Sequence, residues 1–159
     1  MSDGVVDGPA IESYNPDLAA TMLRDGGGGG VIDYLGLRLV DVGPGTAAAE
    51  IEVTPELLHN FGAVHGGVVA TLVDHVLGAA VLPVVPAGTW PATLEFKLNY
   101  LAPVSEGVIR AESQILSLRR RTAVVQVTVT NTLADPGADT AHPVATALGT
   151  IALTPPKPA

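Results

Sequence analysis

Apolar residues form one long block near the middle of the chain. Residues 68–82 include only three polar side chains, those of Thr71, Asp74 and His75. Apolar residues on nearly every face over this length predict a helix that the rest of the fold encloses. We therefore expect Asp74 to be enclosed with it, in surroundings where an unpartnered carboxylate is costly.

Shorter segments on both sides of this block favour strands. In residues 93–101 the apolar members of an alternating pattern are Leu94, Phe96, Leu98 and Tyr100. A period of two predicts a strand that is buried on one side. The predicted strands are 32–40, 46–53, 93–101, 107–118, 122–131 and 145–153. Strands around one enclosed helix indicate an α+β fold, in which an antiparallel sheet wraps one long central helix.

Composition divides the chain into three parts. Residues 1–30 are predicted to be a flexible N-terminal segment, with a short helix capped by Asn15 and a linker of five glycines at 26–30. Residues 31–154 hold the predicted sheet and central helix and form the main domain. Residues 155–159 are a proline-rich tail. The length of 159 residues is sufficient for one domain with a substantial core.

Charge and the lack of cysteine narrow the classes of partner. The net charge is −8, which argues against nucleic acid. Without cysteine, disulfides, thiolate metal sites and a cysteine nucleophile are excluded, and a cytoplasmic location is expected. The first residues lack the basic region of a signal peptide. The longest uncharged run, 76–94, contains three prolines, so we expect no membrane span.

The glycine pair Gly66-Gly67 at the start of the central helix is the first candidate for chemistry. The first turn of a helix has unpaired N–H groups and a partial positive charge, and glycine lets a ligand approach the backbone. These amides can therefore hold a carbonyl oxygen and stabilise the oxyanion that forms from it. One such donor contributes about 3–4 kcal/mol in a transition state. The alternative is that the glycines only permit close packing.

The second candidate, Asp74, lies eight residues after Gly66, or about 12 Å along a helix. An aspartate side chain spans only part of this distance, so one helix cannot bring both groups to the same atom. Two antiparallel copies can do so. If both residues serve one reaction, the protein must therefore be a symmetric homodimer with two equivalent sites. The alternative is a structural carboxylate that holds loop amides.

The segment His65-Gly66-Gly67-Val68-Val69-Ala70-Thr71-Leu72-Val73-Asp74 resembles the HGG…L.D signature of hot-dog-fold acyl-CoA thioesterases. The resemblance is strongest to the PaaI-like branch of the thioesterase superfamily, related to the 4-hydroxybenzoyl-CoA thioesterases. It covers residues 32–153 and includes Asn99-Tyr100-Leu101-Ala102-Pro103. It implies a hot-dog fold and hydrolysis of an acyl-CoA substrate to free acid and CoA. It also implies a homodimer that pairs into a homotetramer.

By this resemblance, the Gly66 amide binds the thioester carbonyl, and His65 and Gly67 contact the substrate beside it. Asp74 of the partner subunit acts as general base or nucleophile. Thr93 stands where the family often has Ser or Thr that helps to position water, although an ordinary strand threonine is an equal alternative.

The chain departs from the family in the loop before the helix. The family usually places Asn or Gln three residues before the glycine that corresponds to Gly62. Here that position is His59, and Asn60 is one residue later. Either His59 or Asn60 is therefore expected to make the hydrogen bond near the thioester.

Three of the eight basic residues, Arg119, Arg120 and Arg121, lie at a predicted turn between two strands. The family tends to bind the CoA phosphates with basic residues near this turn, often after a glycine that Arg120 replaces here. Guanidinium pairs well with phosphate oxygens. The alternative is a solvated turn.

Two other functions stay open. One is a non-catalytic acyl-CoA-binding protein, and the other is a hot-dog enoyl-CoA hydratase or dehydratase that uses a histidine. The resemblance implies no cofactor, because CoA is part of the substrate. No two histidines have the i, i+4 spacing of a zinc site, so no metal is expected. The acyl group, aromatic or aliphatic, and the arrangement of a tetramer are not determined.

Overall fold

One long helix lies against one face of a six-stranded antiparallel sheet in this computed structural model, which describes residues 9–26, 28–133 and 141–156. The helices are α1 (Pro16–Arg24), α2 (Val31–Tyr34) and α3 (Gly66–Val81). The strands are β1 (Arg38–Gly43), β2 (Thr46–Glu52), β3 (Trp90–Tyr100), β4 (Val108–Leu118), β5 (Thr122–Thr132) and β6 (His142–Thr154). Short 3-10 turns lie at Pro55–Leu57 and Leu82–Val84. The predicted α+β class with one central helix is confirmed.

The order of strands leaves one long strand at an edge. The order is β1-β2-β4-β5-β6-β3, so β1 and β3 lie at the two edges of the sheet. The 11 residues of β3 pair with β6 on one side, and no described strand pairs with them on the other. An open edge of this length is a template for pairing with another chain.

The side of α3 that faces the sheet is fully buried. Its side chains with no exposed surface include Leu72, Val73, Val76, Leu77 and Ala80. Those of the sheet include Ile51, Ile109, Val125 and Val127. The buried hydroxyl of Ser113 on β4 lies 2.9 Å from the carbonyl oxygen of Val76 and 3.1 Å from that of Ala47. This hydroxyl is therefore satisfied, and it links α3 to two strands.

The helix α1 begins as predicted. The Leu18 amide donates to Asn15 Oδ1 at 3.0 Å, and Pro16 occupies the first turn. Ala19 is only 2% exposed, and the Asn15 amide donates to the Pro83 carbonyl at 2.8 Å, so α1 packs against the core. The predicted domain limits stay predictions. The first eight residues, one glycine of the predicted linker and the last three residues lie outside the described ranges.

The predicted strand at 32–40 is wrong in its first half. Residues Val31–Tyr34 form the helix α2, and β1 begins only at Arg38. Gly36, at φ +65°, follows the helix, and the Leu37 amide then donates to the Ile32 carbonyl at 3.0 Å. A left-handed glycine is a common end for a helix. A four-residue helix is too short for its period to be separated from that of a strand.

The prediction that α3 is enclosed on all sides is also wrong for the protomer. The side of the helix away from the sheet is uncovered. Asp74 and Gly67 are exposed there, and Ala70, Thr71 and Gly78 are half-buried. These residues are small, so they cannot cover the helix themselves. Asp74 therefore faces solvent in the single chain instead of being enclosed.

The segment Gly66–Val84 is long and apolar enough to cross a membrane, with a mean hydropathy of 1.8 in its most apolar 18 residues. However, 56% of that stretch is buried inside the protein. Packing against the sheet accounts for the hydropathy, because the core helix of a soluble protein is apolar over a similar length. The expected absence of a membrane span stays a prediction.

We expect Gly149→Ala to destabilise the fold. Gly149 lies on β6 below α3, and an added methyl group would lie 2.8 Å from Leu77 Cδ1 and 3.0 Å from Phe96 Cβ. Overpacking of this kind costs about 1–3 kcal/mol, which urea unfolding measures. The control is Leu148→Ala at the neighbouring position, which is 49% exposed. It should change the free energy of unfolding by less than about 1 kcal/mol. Wild-type stability of Gly149→Ala would contradict the packing described.

Candidate active site

The loop before α3 is held as a short hairpin. Leu58 and Val64 form an antiparallel bridge, and the His59 amide donates to the Ala63 carbonyl at 2.8 Å. Gly62, at φ +82°, lets the chain reverse between them. The hairpin returns the chain to the core directly before the first turn of α3.

The residue His65 caps the N-terminus of α3. Its Nδ1 accepts a hydrogen bond from the Gly67 amide at 3.0 Å, and its carbonyl accepts from the Val68 amide at 2.9 Å. Gly66 is the first helical residue, where an amide has no acceptor within the helix. Within the described ranges, no other group accepts a hydrogen bond from it. The Gly66 amide is therefore free to bind a ligand, whereas the Gly67 amide is occupied.

Tyr100 contacts the first turn of α3. The sequence pattern had indicated only that it lies on the apolar face of a strand. Tyr100 is the last residue of β3, and its hydroxyl donates to the Gly66 carbonyl at 2.8 Å. A methyl group on Gly66 would lie 2.8 Å from the same hydroxyl oxygen. A side chain at Gly66 would therefore push the Tyr100 hydroxyl out of its present position. Alternation along β3 carried no signal for this hydrogen bond, because the two residues are 34 positions apart.

A cavity of about 420 Å³ lies beside the start of α3. Its polar lining comes from His59, Gly66 and Tyr100, and most of the remaining wall is aliphatic. Two backbone hydrogen bonds hold that wall together: the Val64 amide donates to the Val104 carbonyl at 2.7 Å, and the Leu101 amide donates to the Val144 carbonyl at 2.8 Å. An apolar cavity with a few convergent polar groups is the usual form of a small-molecule site.

The structure separates the two candidates for the loop donor. His59 is half-buried and lines the cavity, whereas Asn60 is exposed and does not. The Phe61 amide donates to His59 Nδ1 at 3.0 Å, and the two rings pack edge to face with their centroids 5.7 Å apart. In the neutral ring the proton is then on Nε2, which leaves a donor on the other side of the ring.

Asp74 and Thr93 do not line this cavity. Asp74 is exposed about two turns further along α3. Thr93 is half-buried on β3, opposite Ile151 of β6 and next to a bulge in that strand. The protomer therefore brings His59 and Gly66 together but leaves both of these residues outside, and their roles stay predictions.

The three arginines form the exposed turn between β4 and β5. Arg119 and Arg120 line a second cavity of about 600 Å³, together with Val84 and Pro86 just beyond α3, whereas Arg121 does not line it. Gly66 lies at the other end of this 16-residue helix, about 24 Å away. Within one protomer, the arginines and the Gly66 amide therefore lie at opposite ends of α3.

Comparison with known proteins finds similarity to one family. Residues 61–132 match the sequence profile of the Thioesterase superfamily. The chain is 26% identical to the 1,4-dihydroxy-2-naphthoyl-CoA hydrolase of Listeria monocytogenes over 102 residues, which are 64% of this chain and 83% of that relative. It is 29% identical to human acyl-coenzyme A thioesterase 13 over 96 residues, which are 60% of this chain and 68% of that relative.

A solved structure agrees with the sequence matches. A single-residue mutant of the phenylacetic acid degradation protein PaaI from Thermus thermophilus superposes with a TM-score of 0.67 at 26% identity, over 77% of this chain and 96% of that one. The sheet and central helix are the hot-dog fold of thioesterases, as predicted. Residues 61–132, slightly under half of the chain, are similar to the Thioesterase superfamily. The two relatives above are named as an acyl-CoA hydrolase and an acyl-CoA thioesterase.

His75 is the only residue in the described ranges with a buried side-chain nitrogen that lacks a partner, Nε2. Burial lowers the pKa of His75 below its usual value, and the carboxylate of the adjacent Asp74 opposes this by a smaller amount. The folded state therefore favours the neutral ring. In the part of the chain that the structure describes, no three His, Cys, Asp or Glu residues are grouped so that they could hold a metal ion.

We expect the free energy of unfolding to fall as the pH drops below the ordinary histidine pKa of 6.5. The pKa of His75 is lower in the folded state, so the unfolded state binds the proton first, and stability is lost between the unfolded and the folded pKa. His75→Asn should therefore flatten the pH dependence of urea unfolding below pH 6.5. Comparison at about pH 8, where His75 is neutral in both states, isolates the packing effect. An unchanged slope would contradict the assignment.

Proposed function

We propose that the protein hydrolyses an acyl-CoA thioester to the free acid and CoA at two equivalent sites of a homodimer. Each site combines Gly66 of one protomer with Asp74 of the partner subunit. The observation that carries this proposal is the cavity beside Gly66, which has a free amide but no carboxylate in its lining. The exposed Asp74 on the uncovered side of the same helix is the acid that this cavity lacks.

An antiparallel arrangement of two α3 helices brings Gly66 of each protomer close to Asp74 of the other. Gly66 and Asp74 are about 12 Å apart along one helix, so neither can serve the other within a protomer. When Asp74 lies opposite Gly66 of the partner subunit, the symmetry axis passes near Ala70, midway between them. The uncovered side of the helix has small residues at these places, including Gly67, Ala70, Thr71 and Gly78. Small side chains allow two helices to approach closely.

The open edge of β3 supports the same dimer. Trp90 and Leu94 on this strand are 72% and 63% exposed, which is unusual for large apolar side chains on a long strand. Pairing of β3 with its copy in a second protomer would continue the sheet and satisfy the open edge. The same strand ends at Tyr100, beside the cavity, so the contact between subunits lies next to the proposed site.

The chemistry assigned to the site begins at the helix start. The Gly66 amide donates to the thioester carbonyl oxygen and stabilises the negative charge that develops there. Asp74 of the partner subunit removes a proton from the attacking water, or attacks the carbonyl carbon itself. In both routes the C–S bond breaks, and the sulfur leaves as the CoA thiolate and takes up a proton. When water is the nucleophile, this step releases the carboxylic acid. When Asp74 is the nucleophile, it leaves an acyl-aspartyl anhydride, which a water molecule then hydrolyses to the carboxylic acid and free Asp74.

Two further residues take supporting roles in this proposal. His59 donates from Nε2 toward the thioester, because its Nδ1 is already occupied by the Phe61 amide. We assign this role to His59 and not to Asn60, which is exposed outside the cavity. Thr93 helps to position the water. Because Thr93 does not line the cavity of its own protomer, we assign it to the site that contains Gly66 of the partner subunit.

The arginine turn is assigned to the CoA phosphates of the site across the dimer. From Asp74 to the end of α3 is about 10 Å, and the cavity lined by Arg119 and Arg120 follows directly. In the antiparallel dimer, this cavity therefore lies beyond Gly66 of the partner subunit. The phosphates are at the far end of CoA from the thioester, so the arginines are on the correct side to pair with them.

The rest of the proposal concerns the acyl group, cofactors, location and assembly. The acyl group enters the cavity beside Gly66, whose aliphatic wall suits both aromatic and aliphatic groups. The reaction uses no cofactor and no metal. We further propose a cytoplasmic enzyme that pairs its dimers into a homotetramer, without nucleic acid or membrane partners.

Asp74→Asn is expected to lower kcat about 10²–10⁴-fold, because the amide cannot accept a proton. Release of free thiol from a panel of acyl-CoA esters measures the loss. Asp41→Asn, at an exposed aspartate on β1, is the matched control and should keep wild-type activity. Full activity of folded Asp74→Asn would refute its role. If wild type binds acyl-CoA without releasing thiol, the protein is a binder. Hydration of an enoyl-CoA without thiol release identifies a hydratase.

Mixing inactive variants tests whether the site is shared between subunits. A Gly66→Pro protomer, which has no backbone N–H at this position, and an Asp74→Asn protomer each lack one half of the site. A heterodimer of the two regains one intact site if the halves come from different chains. Random exchange should then restore roughly a quarter of wild-type activity. No recovery after confirmed subunit exchange would show that each protomer uses its own aspartate.

Replacing Arg119 and Arg120 together by alanine should raise KM for acyl-CoA about tenfold and leave kcat nearly unchanged, because the arginines contact only phosphate. The rise should weaken at high salt and vanish for an acyl-pantetheine thioester, which lacks the nucleotide. Arg24→Ala on α1, at an exposed arginine, is the control. An equal rise in KM with both substrates would contradict the assignment.

A further inference from the structure

We propose that Tyr100 is a positioning residue that, with His65, clamps the Gly66–Gly67 peptide and so orients the Gly66 amide for the thioester. This inference rests on the proposed role of that amide, and it assigns a function to a side chain on an edge strand. Tyr100 acts through the backbone of Gly66, so its hydroxyl does not have to contact the substrate.

The two side chains hold opposite ends of one peptide unit. The Tyr100 hydroxyl donates to the Gly66 carbonyl at 2.8 Å. His65 Nδ1 accepts from the Gly67 amide at 3.0 Å. The carbonyl and the amide belong to the same peptide plane, so these hydrogen bonds together restrict its rotation. The one amide of this turn that stays free, that of Gly66, belongs to the preceding peptide unit, which is joined to this plane at the Gly66 Cα. The carbonyl of that preceding unit, that of His65, accepts from the Val68 amide at 2.9 Å.

A clamp is needed because the helix start consists of two glycines. Glycine has the widest backbone freedom of all residues, and the first turn of a helix has fewer backbone hydrogen bonds than its middle. An amide that is not held in place must be reoriented during the reaction, which reduces its benefit to the transition state. A side chain at Gly66 would restrict the backbone, but a methyl group there would displace the Tyr100 hydroxyl.

The position of Tyr100 links the clamp to the rest of the site. It is the last residue of β3, the edge strand on which we place the subunit contact, and its ring forms part of the cavity wall. Gly66 starts the helix that carries Asp74. Tyr100 therefore connects the strand that meets the second subunit with the turn that receives the substrate carbonyl.

The test compares two tyrosine-to-phenylalanine variants. Tyr100→Phe removes one hydroxyl and keeps the ring. The matched control is Tyr14→Phe, which removes a hydroxyl that donates to the Val42 carbonyl at 3.0 Å, away from the cavity. We expect Tyr100→Phe to lower kcat about tenfold or more with KM within about twofold of wild type. Tyr14→Phe should leave both constants within about twofold.

A second variant separates positioning from folding. His65→Ala removes the other half of the clamp, so its effect on kcat and that of Tyr100→Phe should not multiply in the double variant. Urea unfolding of each variant shows how much of the protein is folded. A kcat of folded Tyr100→Phe within about twofold of wild type, a loss confined to KM, or fully multiplicative effects would overturn the inference.

The outcome also distinguishes this inference from the function on which it rests. If Asp74→Asn abolishes thiol release while Tyr100→Phe has wild-type kcat, only the clamp is wrong. If Asp74→Asn keeps full activity, the proposed role of Asp74 is wrong, and if the wild type releases no thiol, the proposed hydrolysis is wrong.

Discussion

Burial of one side of α3 against the sheet is the constraint on which the rest of this structure depends. Aliphatic side chains with no exposed surface occupy that side, and the Ser113 hydroxyl links the helix to two strands. The helix can then neither rotate nor slide without exposing apolar area or leaving a buried hydroxyl unpaired. This fixes the direction in which every other residue of α3 points.

The position of α3 sets the positions of the candidate groups. With the buried side fixed, the first turn lies at the end of β3, where Tyr100 reaches the Gly66 carbonyl. Asp74 is then on the uncovered side, exposed and about two turns away from that turn. A rigid helix keeps these two groups apart within one chain. Our proposal of a shared site follows from this separation.

The elements that could be predicted from sequence are those with long, regular patterns. The apolar block around Val76 gave α3, and the alternation along β3 to β6 gave four strands, because burial repeats with the period of the backbone. Where a segment is short, the pattern is ambiguous. Helix α2 was predicted as strand for this reason, although a glycine such as Gly36 commonly marks the end of a helix.

The site was only partly predictable. The pair Gly66-Gly67 was identified because its residue type and its place at a helix start point to hydrogen-bond donors. The family resemblance named His59 and Asn60 as alternatives for the loop donor. Within the single protomer the enclosure of Asp74 was predicted wrongly, because the pattern shows that a helix is apolar but not which neighbours cover it. Tyr100 was missed as a partner of Gly66, because a contact between distant residues has no local pattern.

The sequence by itself determined the fold class, the central helix, the glycines at its start and the family resemblance. These follow from local backbone preferences and from the period of burial, which a single chain displays along its length. Only the tertiary structure decided which amide of the glycine pair is free, that His59 and not Asn60 faces the cavity, and that Asp74 is uncovered. Those outcomes depend on which side of α3 meets the sheet and on hydrogen bonds between residues far apart in the chain, and both are set by packing in three dimensions.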